Sequence, residues 1–248
     1  MTKSCSTLLG VVAFASMMMM TVRTHASTAL EASLADLVRR SEFVFRGVVL
    51  DKKVSRASDG SLWTGYKFDV VDAIIGKTND KTFSLRCYGG LSAEGDGTSV
   101  DGIPDYDLGE EMIIFFDEDD GLCNVTAWSQ GSLRILRSPS GEKMVLTEAG
   151  YPVAGIRDDG LLVSSRPEWV KPRGSSQMTI VPRAAGVRPK ELPSALTKPK
   201  PADVGAFVEG LRSYGATKKA GVLKTTESSR SMVGSNRAFG MPSEGGKP

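Results

Sequence analysis

The chain is nearly without imidazole and has little sulfur: its one histidine is His25, and its three cysteines are Cys5, Cys87 and Cys123. It also has a single long apolar run, Leu8 to Val22. Lys3 precedes that run and Thr24-His25-Ala26 follows it, the pattern of a secretory signal with small residues at the −3 and −1 positions. Cleavage is expected after Ala26, with Ala29 as the second choice. The run is shorter than the ~20 residues of a membrane-spanning helix. Cys5 stands before the apolar run, where a lipid-attachment cysteine would not lie. Removing residues 1–26 removes His25 and Cys5. What is left cannot run Ser-His-Asp or Cys-His chemistry, which needs an imidazole base, or build most protein zinc sites. Cys87 and Cys123, an even pair in an oxidising compartment, are expected to form a disulfide, with two separate buried thiols as the alternative.

The near-neutral whole-chain charge hides a split. Residues 27–170 carry 15 Lys and Arg against 24 Asp and Glu, a net of −9. Residues 171–248 carry 14 basic against 5 acidic, a net of +9. An acidic globule with a basic tail is the organisation this implies.

Thr28-Ala-Leu-Glu31 reads as a capping box, and Leu30, Leu34, Leu37 and Val38 form one helical face ended by Arg39 and Arg40. Strands follow at Phe43–Leu50, Trp63–Ile75, Thr82–Tyr88, Met112–Phe116 and Leu122–Trp128. Leu133–Ile135 and Met144–Leu146 form a hairpin around Ser138-Pro-Ser-Gly141. In Thr82–Tyr88 the alternation puts Phe83, Leu85 and Cys87 on one face. Five or more strands with one helix point to a barrel or sandwich. The expected organisation is a signal segment 1–26, a β-rich domain 27–170, a Pro-rich linker 171–201, a short helix 202–215 and a disordered basic tail 216–248. Val204, Phe207, Val208 and Leu211 mark that short helix, with Pro201 before it and Gly215 after it as punctuation.

The stretch Leu37-Val-Arg-Arg-Ser-Glu-Phe-Val-Phe-Arg-Gly-Val-Val49, a helix running into a Val-x-Arg-Gly-x-Val strand, resembles the opening of the netrin-like (tissue-inhibitor-of-metalloproteinase-like) OB-fold. Tyr66 to Gly76, ending in a Gly-Lys turn, resembles the second strand of that fold. Gly89-Gly90, Gly102-Ile-Pro104 and Leu108-Gly-Glu110 resemble a group of uncharacterised secreted bacterial proteins of this shape. The resemblance covers residues 30–137 and implies a mainly β, OB-like five-stranded barrel with a short N-terminal helix and an extra hairpin. One departure matters. The animal inhibitors bind protease zinc through an N-terminal cysteine, and neither Ser27 nor Leu30 has a cysteine beside it. That mode of inhibition does not carry over.

Candidate sites lie in the loops. Trp63, Tyr66, Tyr106 and Trp128 fall nearest the strand ends and are the candidate ligand-binding aromatics, with plugging of the barrel ends as the alternative. Asp101, Asp105 and Asp107 in the acidic loop are candidate Ca²⁺ ligands, although no segment has EF-hand spacing; solvated loop charge is the alternative. Loop carboxylates are too many to single out a glycoside-hydrolase pair, and no cofactor other than calcium is suggested. An acidic domain lacks the electrostatic footprint of a nucleic-acid binder. The expectation is a secreted or periplasmic, non-enzymatic binding or inhibitor-like module whose loops engage a protein partner, with an extracellular protease as the class the resemblance implies. The rival is an envelope-associated structural protein held on an anionic surface by its basic tail and stabilised by calcium.

Overall fold

The computed structural model describes residues 28–78, 80–118, 121–157, 160–171, 179–181 and 199–218. The expected signal segment 1–26, most of the Pro-rich linker and residues 219–248 of the expected tail lie outside the described residues. In chain order the elements are β1 (Thr28–Leu30), α1 (Leu34–Arg40), β2 (Phe43–Arg56), β3 (Leu62–Ile75), β4 (Thr82–Tyr88), β5 (Gly90–Leu91), β6 (Gly97–Thr98), β7 (Glu111–Phe116), a 3₁₀ turn (Trp128–Gly131), β8 (Ser132–Arg137), β9 (Lys143–Thr147), β10 (Val153–Arg157), β11 (Gly160–Val163), β12 (Thr179–Val181) and a second helix, α2, over 204–218.

Six of the strands form one antiparallel sheet in the order β4-β3-β2-β7-β8-β9. The apolar run in β7 is explained by its place in the middle of that sheet. Met112 and Ile114 point to one core with Phe45, Phe68 and Tyr106, while Ile113 and Phe115 point to another with Leu37, Val38 and Leu133. Period-two alternation with both faces covered gives an almost unbroken apolar sequence. The long β2–β3 hairpin changes register between Val44 and Phe45, Arg46 and Gly47, and Val49 and Asp51, and bulges of this kind bend and twist a strand pair.

The mainly β reading, the short N-terminal helix and the β8–β9 hairpin are all present. Barrel closure by strand pairing is not: among the described residues β4 and β9 remain the outer strands of the sheet. Residues 122–128 are not a strand. They lie as an irregular segment between β4 and β7, with Tyr88 N donating to Leu122 O, Asn124 N to Arg86 O, Asp117 N to Asn124 O and Thr126 N to Phe115 O. The alternation ends at Ala127 and Trp128, both left-handed at φ 53° and 58°. Gly131 then passes so close to the Thr126 carbonyl that no Cβ would fit.

The N-terminal cap also differs from expectation. Thr28–Leu30 is a strand paired in parallel with Thr179–Val181, and Ser33 is the N-cap. Its Oγ accepts from Asp36 N at 3.1 Å and donates to Asp36 Oδ2 at 2.8 Å. Both stretches fit the cap pattern. The contact that decides between them lies ~150 residues away, where no local sequence signal reaches.

The sequence set the second helix outside the β-rich unit, yet α2 seats Val204, Phe207, Val208 and Leu211 in the same core as Leu34, Leu37 and Val38. Asp203 caps it, accepting from Gly205 N at 2.9 Å. Gly215 lies inside the helix instead of ending it, and a side chain there would collide with Ile75.

Candidate functional site: a loop-covered cleft on the sheet

The segment from Gly89 to Glu110 folds back over β2, β3 and β4 and encloses a cleft of about 640 Å³ lined by Lys52, Thr64, Tyr66, Tyr88, Ile103 and Asp105, among others. Gly90 makes the close approach possible. Its φ of 133° suits glycine, and a Cβ there would strike Val54 Cγ2 at 2.9 Å as well as the Thr64 hydroxyl. Thr64 Oγ1 in turn donates to Gly89 O at 2.7 Å, which fixes the start of the loop on β3.

The other end of the loop is held by Asp105. Its Oδ1 accepts from Tyr66 Oη at 2.7 Å and from Lys52 Nζ at 2.6 Å. Tyr66 is 2% exposed, with its ring edge-on to Tyr106. Burial first, then the Asp105 hydrogen bond and its negative charge, push the Tyr66 phenol well above its ordinary range, so it remains a proton donor. Behind this pair the polar groups continue inward. Tyr106, fully buried, shares a 2.6 Å hydrogen bond with the Ser132 hydroxyl. Arg134 lies 3.7 Å from Glu110, and among the described residues two of its buried guanidinium nitrogens have no hydrogen-bond partner. Glu148 is buried, its carboxyl pushed up to about 7 by desolvation; Arg134 opposes the rise and Asp105 adds to it.

The candidate residues from the sequence divide accordingly. Tyr66 and Tyr106 are core residues, with only Tyr66 among the residues lining the cleft. Trp63 lies beyond it on β3, edge-on to Tyr88 and stacked by Arg86, whose guanidinium carbon is 4.6 Å from the ring centre. Trp128 is half-buried against the aromatic core, away from the cleft. Asp105 is committed to Tyr66 and Lys52, and Asp101, Asp105 and Asp107 do not converge: among the described residues no three side chains form a group able to hold a metal ion. Cys87 and Cys123 are joined by a disulfide across an antiparallel bridge between β4 and the irregular segment.

Sequence reasoning passed over Lys52, Thr64, Arg134 and Glu148. Lys52 and Thr64 have no motif around them. Glu148 had one usable signal, since it shares the parity of Met144 and Leu146, both buried.

Compared with models of known protein families and with curated proteins, the chain matches none. The fold and site together define a mainly β protein, built on one large antiparallel sheet with a disulfide and a loop-covered cleft.

Proposed function

We propose that this is an exported, non-enzymatic binding module that engages a protein partner through the loop surface around the Tyr66–Asp105 cleft. The observation that carries the reading is the exposure of Leu91 and Leu108, 68% and 64%, on the same loop that Thr64 and Tyr66 anchor to the sheet. Apolar side chains held outward on an ordered loop are the form that interface anchors take. Two charged pairs, Lys52 with Asp105 and Arg56 with Asp96, tie the same loop to β2. The disulfide is consistent with an oxidising compartment, and among the described residues no helix is long and apolar enough to cross a membrane. An OB-like reading is supported by the β4-β3-β2-β7-β8 order, with the irregular segment hydrogen-bonded to both β4 and β7. That resemblance makes an extracellular protease the first partner class to try.

The test is affinity capture from the host's secreted proteins with three baits: wild type, the double variant Leu91→Asp/Leu108→Asp, and the distant surface variant Tyr151→Ser. Mass spectrometry is expected to identify a protein retained by wild type and Tyr151→Ser and lost from the double variant. Equal recovery by all three baits, or no protein specific to wild type, would remove the loop surface as the binding face.

A further inference from the structure

The strands that carry the loop-covered cleft on one face present a second surface on the other. Side chains alternate along β3, so Thr64, Tyr66 and Phe68 turn inward while Trp63, Gly65 and Lys67 turn outward. Cross-strand register sets the outward residues in rows. Ser55, Trp63 and Tyr88 form one, Lys53, Gly65 and Arg86 the next, and Asp51, Lys67 and Ser84 a third. Lys53 and Arg86 therefore flank Gly65 across two strand spacings, ~10 Å. Both are exposed, as is Lys67. Trp63 and Tyr88 meet edge to face with ring centres 5.3 Å apart, and the Arg86 guanidinium lies over the Trp63 ring.

Two observations set this face apart from ordinary solvated surface. The first is that nothing in the fold requires a glycine at position 65. Its φ is not left-handed, it lies outside the bulges of the β2–β3 pair, and a Cβ there would meet only the Lys53 carbonyl, at an unstrained 3.7 Å. A glycine inside a strand weakens the strand, and it leaves a bare floor where another molecule can come close. The second is charge. Residues 27–170 are net −9, yet among the described residues Lys53, Lys67 and Arg86 form no ion pair. Asp51 stands beside Lys67, and the two rows nearest Trp63 carry only positive charge. Residues 171–248, net +9, are of the wrong sign to cover this face.

We propose that this face binds an acidic polysaccharide, with a carboxylate over Gly65 between Lys53 and Arg86 and a sugar ring against Trp63 and Tyr88. Arg86, stacked on Trp63, presents a planar fork that suits a carboxylate, and Lys53 supplies a second cation from the other side. The apolar C–H face of a pyranose packs on aromatic rings, while the Ser55 and Ser84 hydroxyls can pair with its hydroxyl groups. A flat sheet face accepts a chain of rings laid across the strands. A nucleic acid would bring a phosphate with every nucleotide to a domain of net −9, and an acidic peptide would leave the aromatic step without a matching ring.

The probes are trigalacturonate, neutral maltotriose, tri-aspartate and a thymidine trinucleotide. Each is titrated into the full chain and followed at the Gly65 amide and the Trp63 indole N–H. At low salt, trigalacturonate is expected to saturate both signals and to bind roughly tenfold or more tightly than the other three. Its affinity is expected to fall several-fold as salt rises from about 50 to about 300 mM. Gly65→Glu, which sets a carboxylate where the ligand's would lie, is expected to abolish binding. Lys53→Gln is expected to weaken it roughly three- to fivefold, whereas Arg137→Gln, the same loss of charge on β8, leaves it within about twofold. The proposal is overturned by no saturable shift at Gly65 and Trp63, by any other probe binding as tightly as trigalacturonate, or by equal losses from Lys53→Gln and Arg137→Gln. That pair of variants decides the matter even if Gly65→Glu does not fold.

Discussion

Tyr66 and Asp105 are 39 residues apart in sequence and meet as phenol and carboxylate at 2.7 Å. One partner is locked into the aromatic core of the sheet and the other sits on the exposed loop. The loop thus takes its position from a residue that cannot move without disturbing Phe68 and Tyr106. This is how a long, Gly- and Asp-rich segment becomes a defined surface, and it underlies the functional reading.

Glu148 gives the fold a pH dependence with a definite sign. Its carboxyl is near 7 in the folded protein against an ordinary value of 4.5. Between those values the unfolded chain has lost the proton while the folded chain keeps it, so rising pH favours unfolding, and the loss is complete above the folded value. Urea unfolding across this range is expected to show wild type losing up to about 3 kcal/mol. Glu148→Gln should lack that slope and exceed wild type only at the high-pH end. Parallel stability curves for the two proteins would show that Glu148 ionises normally.

The Cys87–Cys123 disulfide closes a 36-residue separation. By the chain-entropy relation that is worth about 4 kcal/mol. Urea midpoints measured with and without reductant should differ by that order, and a protein indifferent to reductant would show the cross-link to be dispensable.

Helix α2 belongs to the core. Leu211 is fully buried beside Leu34 and Val38, and Leu211→Ala is expected to cost about 2–5 kcal/mol. A chain ending at residue 201 should melt far below the full protein by circular dichroism. An unchanged midpoint would mean that the helix is an appendage.

Much of the sheet was legible because period-two alternation is local. Thr82–Tyr88 was read with its faces correct, and the β8–β9 hairpin was marked by Ser138 and Gly141. The misreadings occurred where distant contacts decide. Thr28–Glu31 and Ser33–Asp36 offer similar caps, and pairing with Thr179–Val181 selects between them. Leu122–Trp128 alternates like a strand, but Ala127 and Trp128 turn left-handed to bring Gly131 against Thr126. β10 and β11 were missed because Val153–Val163 is short and glycine-broken, and their pairing includes a bulge at Val153 to Gly155. At the cleft, Tyr66 was chosen as an aromatic near a strand end, whereas its value lies in the hydroxyl. Pairing that hydroxyl with Asp105 required knowing how the loop folds back.

The most direct measurement is amide hydrogen exchange across residues 89–110 in wild type and Tyr66→Phe. The substitution keeps the ring and removes the buried one of the two donors, Tyr66 Oη and Lys52 Nζ, that tie Asp105 to the sheet, at a global cost of about 1 kcal/mol. Wild type is expected to protect the amides around Ile103 to Glu110, and Tyr66→Phe to lose protection there by more than the global change explains, with β7 and β8 unaffected beyond it. Rapid exchange of this loop in wild type, or identical loop protection in the two proteins, would contradict the claim that Tyr66 and Asp105 hold a preformed binding surface.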